Sequence, residues 1–254
     1  MRNNPNLEVF QCEECSLAFL SDFSHLKENF YEEGCMYNQN QNFWIENTKT
    51  DDLRRYEYFK NLFKNKKILD FGAGAGGFVR LNNCDGLESD LSLQEFFKGE
   101  NLNIYSSLSQ VKEKYDFITM FHVLEHLENP KQMLGYLSDY LKKDGRIIIE
   151  VPNLDDILLL NKTFKDFYYI NYHFFYYNMD SLSILLEKAN FKIEKKFFVQ
   201  RYNFLNHLYW FVKKQPRGHI EWKNFNIAFV DKIYQNILKF LKKTDTILVI
   251  VKKI

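Results

Sequence analysis

In Lys67-Ile-Leu-Asp-Phe-Gly-Ala-Gly-Ala-Gly-Gly-Phe78, glycines stand at 72, 74, 76 and 77, four of the ten in the whole chain. They follow a short apolar run, so the backbone can bend sharply and approach a ligand where a Cβ would collide. The next segment can aim its free N–H groups into the same space, which is how a nucleotide-type cofactor is cradled. A second apolar run ends in Cys84-Asp-Gly-Leu-Glu-Ser-Asp90, placing Glu88 sixteen residues past Gly72. An acidic side chain at that point can accept both ribose hydroxyls of an adenosine. Two further groups suit proton transfer near neutral pH. One is His126, with Glu125 beside it and His122 four residues earlier; the other is His173 in an aromatic stretch. Cys12-Glu-Glu-Cys15 has zinc-knuckle spacing, but only Cys35 is near enough to add a thiol. Zinc wants about four ligands, and the segment reads as a metal-free appendage.

The elements that must position these residues follow from the spacing of the apolar ones. A helix is expected from about Thr50 as N-cap, with Leu53, Tyr56, Phe59, Leu62 and Phe63 at helical spacing. Strands are expected at 67–71, 84–88, 103–105, 116–121 and 146–151, with a helix at 130–142 opened by Pro130. Alternating strand and crossover predict a doubly wound α/β fold: a Rossmann-like seven-stranded, mostly parallel sheet with helices on both faces. Beyond 155 come an aromatic segment at 164–177, a helix at 180–189, a strand at 191–199, a helical insertion at about 203–240 and a closing strand at 245–252, suited to antiparallel insertion. Residues 1–46 form an N-terminal appendage, 47–254 the main domain, and about 155–240 an acceptor-binding insertion.

Composition narrows the partners. The chain has 254 residues, 46% hydrophobic, with a net charge of +1 and no basic block, which gives no electrostatic case for nucleic acid. No apolar run approaches the roughly 20 residues of a membrane span, and four unevenly placed cysteines do not make a disulfide framework. These features predict a soluble cytoplasmic protein with reduced thiols.

The glycine spacing alone leaves the cofactor open. Gly72, Gly74 and Gly77 satisfy the dinucleotide fingerprint, while Gly72, Gly74 and Gly76 satisfy the tighter spacing of S-adenosylmethionine enzymes. The following motifs discriminate. Tyr115-Asp-Phe-Ile runs on to Leu124-Glu-His126 and Asn129-Pro130; then come Leu141-Lys-Lys-Asp-Gly145 and Val151-Pro-Asn153. In this order the chain resembles the class I S-adenosylmethionine-dependent methyltransferases, over Lys67 to Asn153. His173-Phe-Phe-Tyr-Tyr and Ser181 to Phe191 extend the likeness, with Asn190 where the branch usually has glycine. Gln200 to Trp210, Pro216-Arg-Gly-His219 and Asp245-Thr246 resemble a subfamily met in bacterial surface-saccharide gene sets.

By that resemblance Gly72, Ala73, Gly74, Gly77 and Phe78 take the methionine end of the cofactor, and Asp70 anchors the loop. Glu88 holds the ribose, Ser89 lies by the adenine, and Phe121 and His122 line the pocket near the methyl group. His126 and His173 are the candidate bases, and Arg201, Tyr202, Asn206, His207 and His219 a polar acceptor pocket. The implied reaction is O-methylation of a small polar acceptor, such as a nucleotide-linked sugar or a surface-polysaccharide precursor, with no residue assigned as a metal ligand. Two other readings use the same turn: a non-catalytic S-adenosylmethionine-binding module, and a nicotinamide-dependent oxidoreductase. The latter lacks its expected Tyr-Lys pair after the fourth strand.

Overall fold

The computed structural model describes residues 6–27, 30–34, 41–215 and 227–254, except the side chains of 41–44. Cys35 and His219 lie outside the described residues. Ten strands are described: β1 (Val9–Gln11), β2 (Ala18–Leu20), β3 (Ile68–Phe71), β4 (Asp85–Leu87), β5 (Ile104–Tyr105), β6 (Tyr115–Phe121), β7 (Leu141–Pro152), β8 (Phe175–Tyr176), β9 (Phe191–Val199) and β10 (Thr246–Lys253). The α-helices among the described residues are α1 (Gln41–Phe59), α2 (Gly77–Asn82), α3 (Gln94–Gly99), α4 (Pro130–Asp139), α5 (Lys162–Tyr168), α6 (Met179–Lys188), α7 (Phe204–Lys213) and α8 (Ala228–Leu241).

Seven strands form one sheet in the order β5-β4-β3-β6-β7-β10-β9. All pair in parallel except β10, which runs antiparallel to both β7 and β9. The expected Rossmann-like sheet with its antiparallel last strand is therefore present. Between β3 and β6 the chain reverses its direction of winding, the switch point where crevices open at the carboxyl ends of the strands.

Period-two alternation assigns the faces. Ile147, Ile149 and Val151 of β7 pack in one core with Leu134, Leu137, Leu182 and Leu186 of α4 and α6. Ile148 points the other way, into a core with Phe59, Phe63, Phe78, Phe117 and Phe121. By the same alternation Glu150 falls on the α1 side, at the carboxyl edge.

Several boundaries differ from the sequence expectation. α1 begins at Gln41, so Thr50 lies inside it instead of capping it. α4 stops at Asp139 because the chain from Leu141 is already paired with β6, which lengthens β7 well beyond 146–151. The 203–240 insertion contains α7 and α8. The appendage is not a separate body: β2 pairs with β8 in a small sheet β1-β2-β8.

Candidate active site

The glycine turn is fixed from both sides. Gly72 and Ala73 donate their N–H groups to the Leu87 carbonyl at 2.8 and 2.9 Å, tying the turn to the end of β4. Gly72, Gly74 and Gly76 have φ of 80°, 53° and 74°, the left-handed region where side chains are strained. A Cβ at Gly72 would stand 2.4 Å from Val123 Cγ2, and one at Gly77 would stand 2.3 Å from Asp52 Oδ2. Asp70, paired in register with Thr119, accepts its hydroxyl at 2.6 Å, so this side chain braces β3 against β6 just before the turn. Burial raises the Asp70 pKa to about 7.

Glu88 is 7% exposed. Its Oε2 accepts the Gly74 N–H at 2.7 Å and its Oε1 the Asp90 N–H at 3.1 Å, so one carboxylate links the turn to the loop after β4. Burial raises its pKa to about 7. Ser89, beside it, is half-buried. A left-handed glycine turn, an acid at the neighbouring strand tip and the first-turn amides of α2, which no intrahelical carbonyl can reach, together fit an adenosyl cofactor with a ribose and a charged amino-acid end. Phe78 and Phe121 have a different place from the one expected. Their rings pack edge to face at 4.9 Å within the aromatic core, and the Arg55 guanidinium covers Phe121 at 4.6 Å. They belong to the core that α1 covers, with Phe59 and Phe63.

Glu150, fully buried, gathers the cations at the sheet edge. Its Oε1 accepts from Arg55 Nη2 at 2.7 Å and from Arg54 Nη2 at 2.9 Å, with His122 Nε2 at 3.3 Å. Burial alone would raise the Glu150 pKa, but Arg55, His122 and Arg54 outweigh it and hold the pKa well below the usual range. His122, with φ 56°, also contacts Glu125 Oε1 through Nδ1 at 3.2 Å. Burial and Arg201 oppose a charge on His122, yet Glu125 and Glu150 outweigh both and raise its pKa. None of this was visible in the sequence. Arg54 and Arg55 look like ordinary helix-surface cations, each an i,i+3 partner of Asp51 or Asp52, and their long-range acceptor lies some 95 residues away.

On the other side of the same edge lies an open cavity of about 350 Å³. Phe164, Phe167 and Trp210 give it aromatic walls; Asp156, His173, Arg201, Tyr202, Asn206 and Asp245 give it polar groups. Asp245 reaches the site because β10 is antiparallel and starts at the edge where the parallel strands finish. Arg201 lines the cavity but is already engaged: Nε donates to Asp245 Oδ1 at 3.2 Å and Nη1 to Asp51 Oδ2 at 3.3 Å. Asn153 of the Val-Pro-Asn motif, fully buried, braces this corner by donating Nδ2 to the Thr244 carbonyl at 2.8 Å. His207 does not line the cavity. It is buried between Gln200 Nε2 at 3.0 Å and Tyr234 Oη at 2.8 Å, and burial lowers its pKa to about 4. Its place on the inner face of α7 makes it a packing residue.

His126 and His173 come together, their rings edge to face at 4.5 Å. His126 Nδ1 lies 2.8 Å from the Tyr172 carbonyl, and since a carbonyl only accepts, that nitrogen carries the proton. Burial lowers the His126 pKa, which favours the neutral ring. Tyr31 from the N-terminal segment donates to the same carbonyl at 3.2 Å.

Comparison with known proteins gives the following. The ubiquinone biosynthesis O-methyltransferase of Schizosaccharomyces pombe is 28% identical over 122 residues, 41% of this chain and 44% of that protein. The chain thus matches less than half the length of this curated relative. Among solved structures, a SAM-dependent methyltransferase from Archaeoglobus fulgidus superposes with a TM-score of 0.54 at 20% identity, covering 89% of this chain and 100% of the other. A SAM-dependent methyltransferase from Thermotoga maritima, described as a possible histamine N-methyltransferase, gives 0.57 at 14% identity, with the same coverages of 89% and 100%. These likenesses establish the fold. A methyltransferase-domain family model matches residues 44–196, from α1 through β9. That match takes in more than half of the chain, and the protein is therefore a member of the methyltransferase-domain family.

Proposed function

We propose that this chain is an S-adenosylmethionine-dependent methyltransferase acting on a hydroxyl of a small polar acceptor seated in the aromatic-walled cavity. One observation carries the reading: the glycine turn packs at Gly72 against Val123, and the same post-β6 segment runs through His122, Glu125 and His126 to His173, which lines the cavity. When bound, the sulfonium supplies an activated methyl group, and transfer turns the acceptor O–H into O–CH3 with loss of one proton. The chain's own contribution is to hold the acceptor in line and to take up that proton or ease its loss. The neutral His126, its tautomer set by the Tyr172 carbonyl, and its neighbour His173 are suited to that work.

The nature of the acceptor follows from what lines the cavity. With Arg201 already paired to Asp245 and Asp51, a bound phosphate or carboxylate would have to compete for the guanidinium. An uncharged hydroxyl-rich ring instead stacks on Phe164, Phe167 or Trp210 and bonds to Asp156 and Asn206. This supports a sugar moiety, in keeping with the resemblance of 200–219 to saccharide-associated enzymes. O-directed transfer also accords with the O-methyltransferase name of the Schizosaccharomyces pombe relative.

Calorimetry with S-adenosylhomocysteine and NADH tests the cofactor: tight binding of the first alone is expected, and preference for NADH overturns the reading. Transfer of labelled methyl to a panel of sugars tests the acceptor. His126→Ala should lower turnover by about 10²- to 10⁴-fold with cofactor affinity nearly unchanged. Unaltered turnover would remove His126 from the chemistry.

A further inference from the structure

We propose that Glu125, His126 and His173 form a binding site for a divalent transition-metal ion at the mouth of the acceptor cavity. Each offers one ligand atom, and the three atoms lie within 4.8 Å of one another. Two belong to the short turn Leu124–His126 that follows β6, and the third to the loop before β8. The arrangement around them is that of ligands already oriented. His126 gives its Nδ1 proton to the Tyr172 carbonyl, which leaves the Nε2 lone pair for an ion; ligating imidazoles are commonly held in this way. Glu125 is 1% exposed, and while its Oε1 meets His122, its Oε2 has no hydrogen-bond partner among the described residues. A buried carboxylate oxygen left unpaired is costly, and a cation beside it relieves that cost.

Two imidazoles and one carboxylate suit zinc, cobalt, manganese or iron better than magnesium or calcium, which prefer oxygen. His173 also lines the cavity, so an ion held here would sit beside the acceptor. There the ion would bind the acceptor oxygen and make its proton easier to lose to water, so that in the metal-loaded protein His126 and His173 act as ligands in place of bases. The placement of the ion stands on the three side chains alone; its use rests on the methyl-transfer reading.

The test is Co²⁺ titration of the full chelator-treated chain, followed by visible absorption, with Zn²⁺ competition by calorimetry. We expect one Co²⁺ per chain. Glu125→Gln and His173→Gln, each checked for folding by circular dichroism, should weaken uptake by about tenfold or more, while the paired change Cys12→Ser and Cys15→Ser leaves it intact. No uptake overturns the site, as does uptake that depends on Cys12 and Cys15 but not on Glu125 or His173. S-adenosylhomocysteine binding measured on the same sample separates the two readings. Cofactor binding without metal uptake defeats only the metal site, and loss of both defeats the methyl-transfer reading as well.

Discussion

Replacing Glu88 by glutamine probes the cofactor cradle at its most constrained atom. Both carboxylate oxygens already accept loop amides, from Gly74 and Asp90. A carboxylate has about four lone-pair sites, so each oxygen can still receive one hydroxyl of a ribose. Glutamine keeps one such oxygen and turns the other into an NH₂ group facing an N–H donor. The variant thus loses a charged acceptor for the sugar and one brace of the turn. Hydrogen bonds to a charged group contribute about 1.5–3 kcal/mol, which predicts a rise in Kd for S-adenosylhomocysteine of roughly 10- to 150-fold at pH 8. The pH dependence adds a second arm. Burial raises the Glu88 pKa from 4.5 to about 7, so the folded form keeps this proton longer than the unfolded chain. That contribution to stability is fully present below about 4.5 and is lost as the pH rises through about 7. Ribose binding requires the opposite state, so affinity in the parent should fall by up to about tenfold per pH unit below 7, and the variant should lose that slope. Asp70 also has a pKa raised to about 7. Asp70→Asn is therefore the control in which the Glu88 slope must survive. A well-folded Glu88→Gln protein binding within about threefold of the parent at pH 8 would refute the ribose assignment.

Two further outcomes follow from buried charge. Glu150→Ala leaves Arg55 buried without its main counter-charge and removes one of the two carboxylates beside His122. It should cost about 3–5 kcal/mol, a drop in Tm on the order of 10 °C; a change below about 2 °C in thermal melting would show the cluster to be unimportant for stability. His207 has its pKa lowered from 6.5 to about 4 by burial, so below 6.5 the unfolded chain takes a proton that the folded form refuses. Stability should decline by about 1.4 kcal/mol per pH unit from 6.5 towards 4. Glu88 and Asp70 contribute with the opposite sign in both proteins, so the test is the difference: by urea unfolding, the parent should lose about 2 kcal/mol relative to His207→Gln between pH 7 and 5, and a pH-independent difference would contradict it.

The glycine turn, the Glu88 strand tip and the parallel sheet were legible in the sequence because each is a local pattern: a glycine cluster after an apolar run, an acid at fixed spacing, alternating strands and crossovers. Two kinds of feature were not. Glu150 sits in Ile-Ile-Ile-Glu-Val, where it reads as a lone acid in a buried strand; only the meeting of β7 with α1 supplies Arg54 and Arg55. Arg201 and His207 occur in one polar stretch, yet the inward turn of α7 separates them, leaving Arg201 at the cavity and His207 in the interior. Aromatic rings are ambiguous for a related reason: Phe78 and Phe121 lie beside the cofactor motifs in sequence but face the core below them.

The pairing of β2 with β8 joins residues about 150 positions apart, Phe19 opposite Phe175. At synthesis rates of about 5–20 residues per second, the first hairpin waits on the order of ten to thirty seconds on the ribosome before its partner emerges. Throughout that interval Ala18 and Phe19 present an uncovered strand edge, open to pairing with another nascent chain. Crowded translation should therefore penalise this protein more than its finished sheet, in which β2 is the central strand, would suggest.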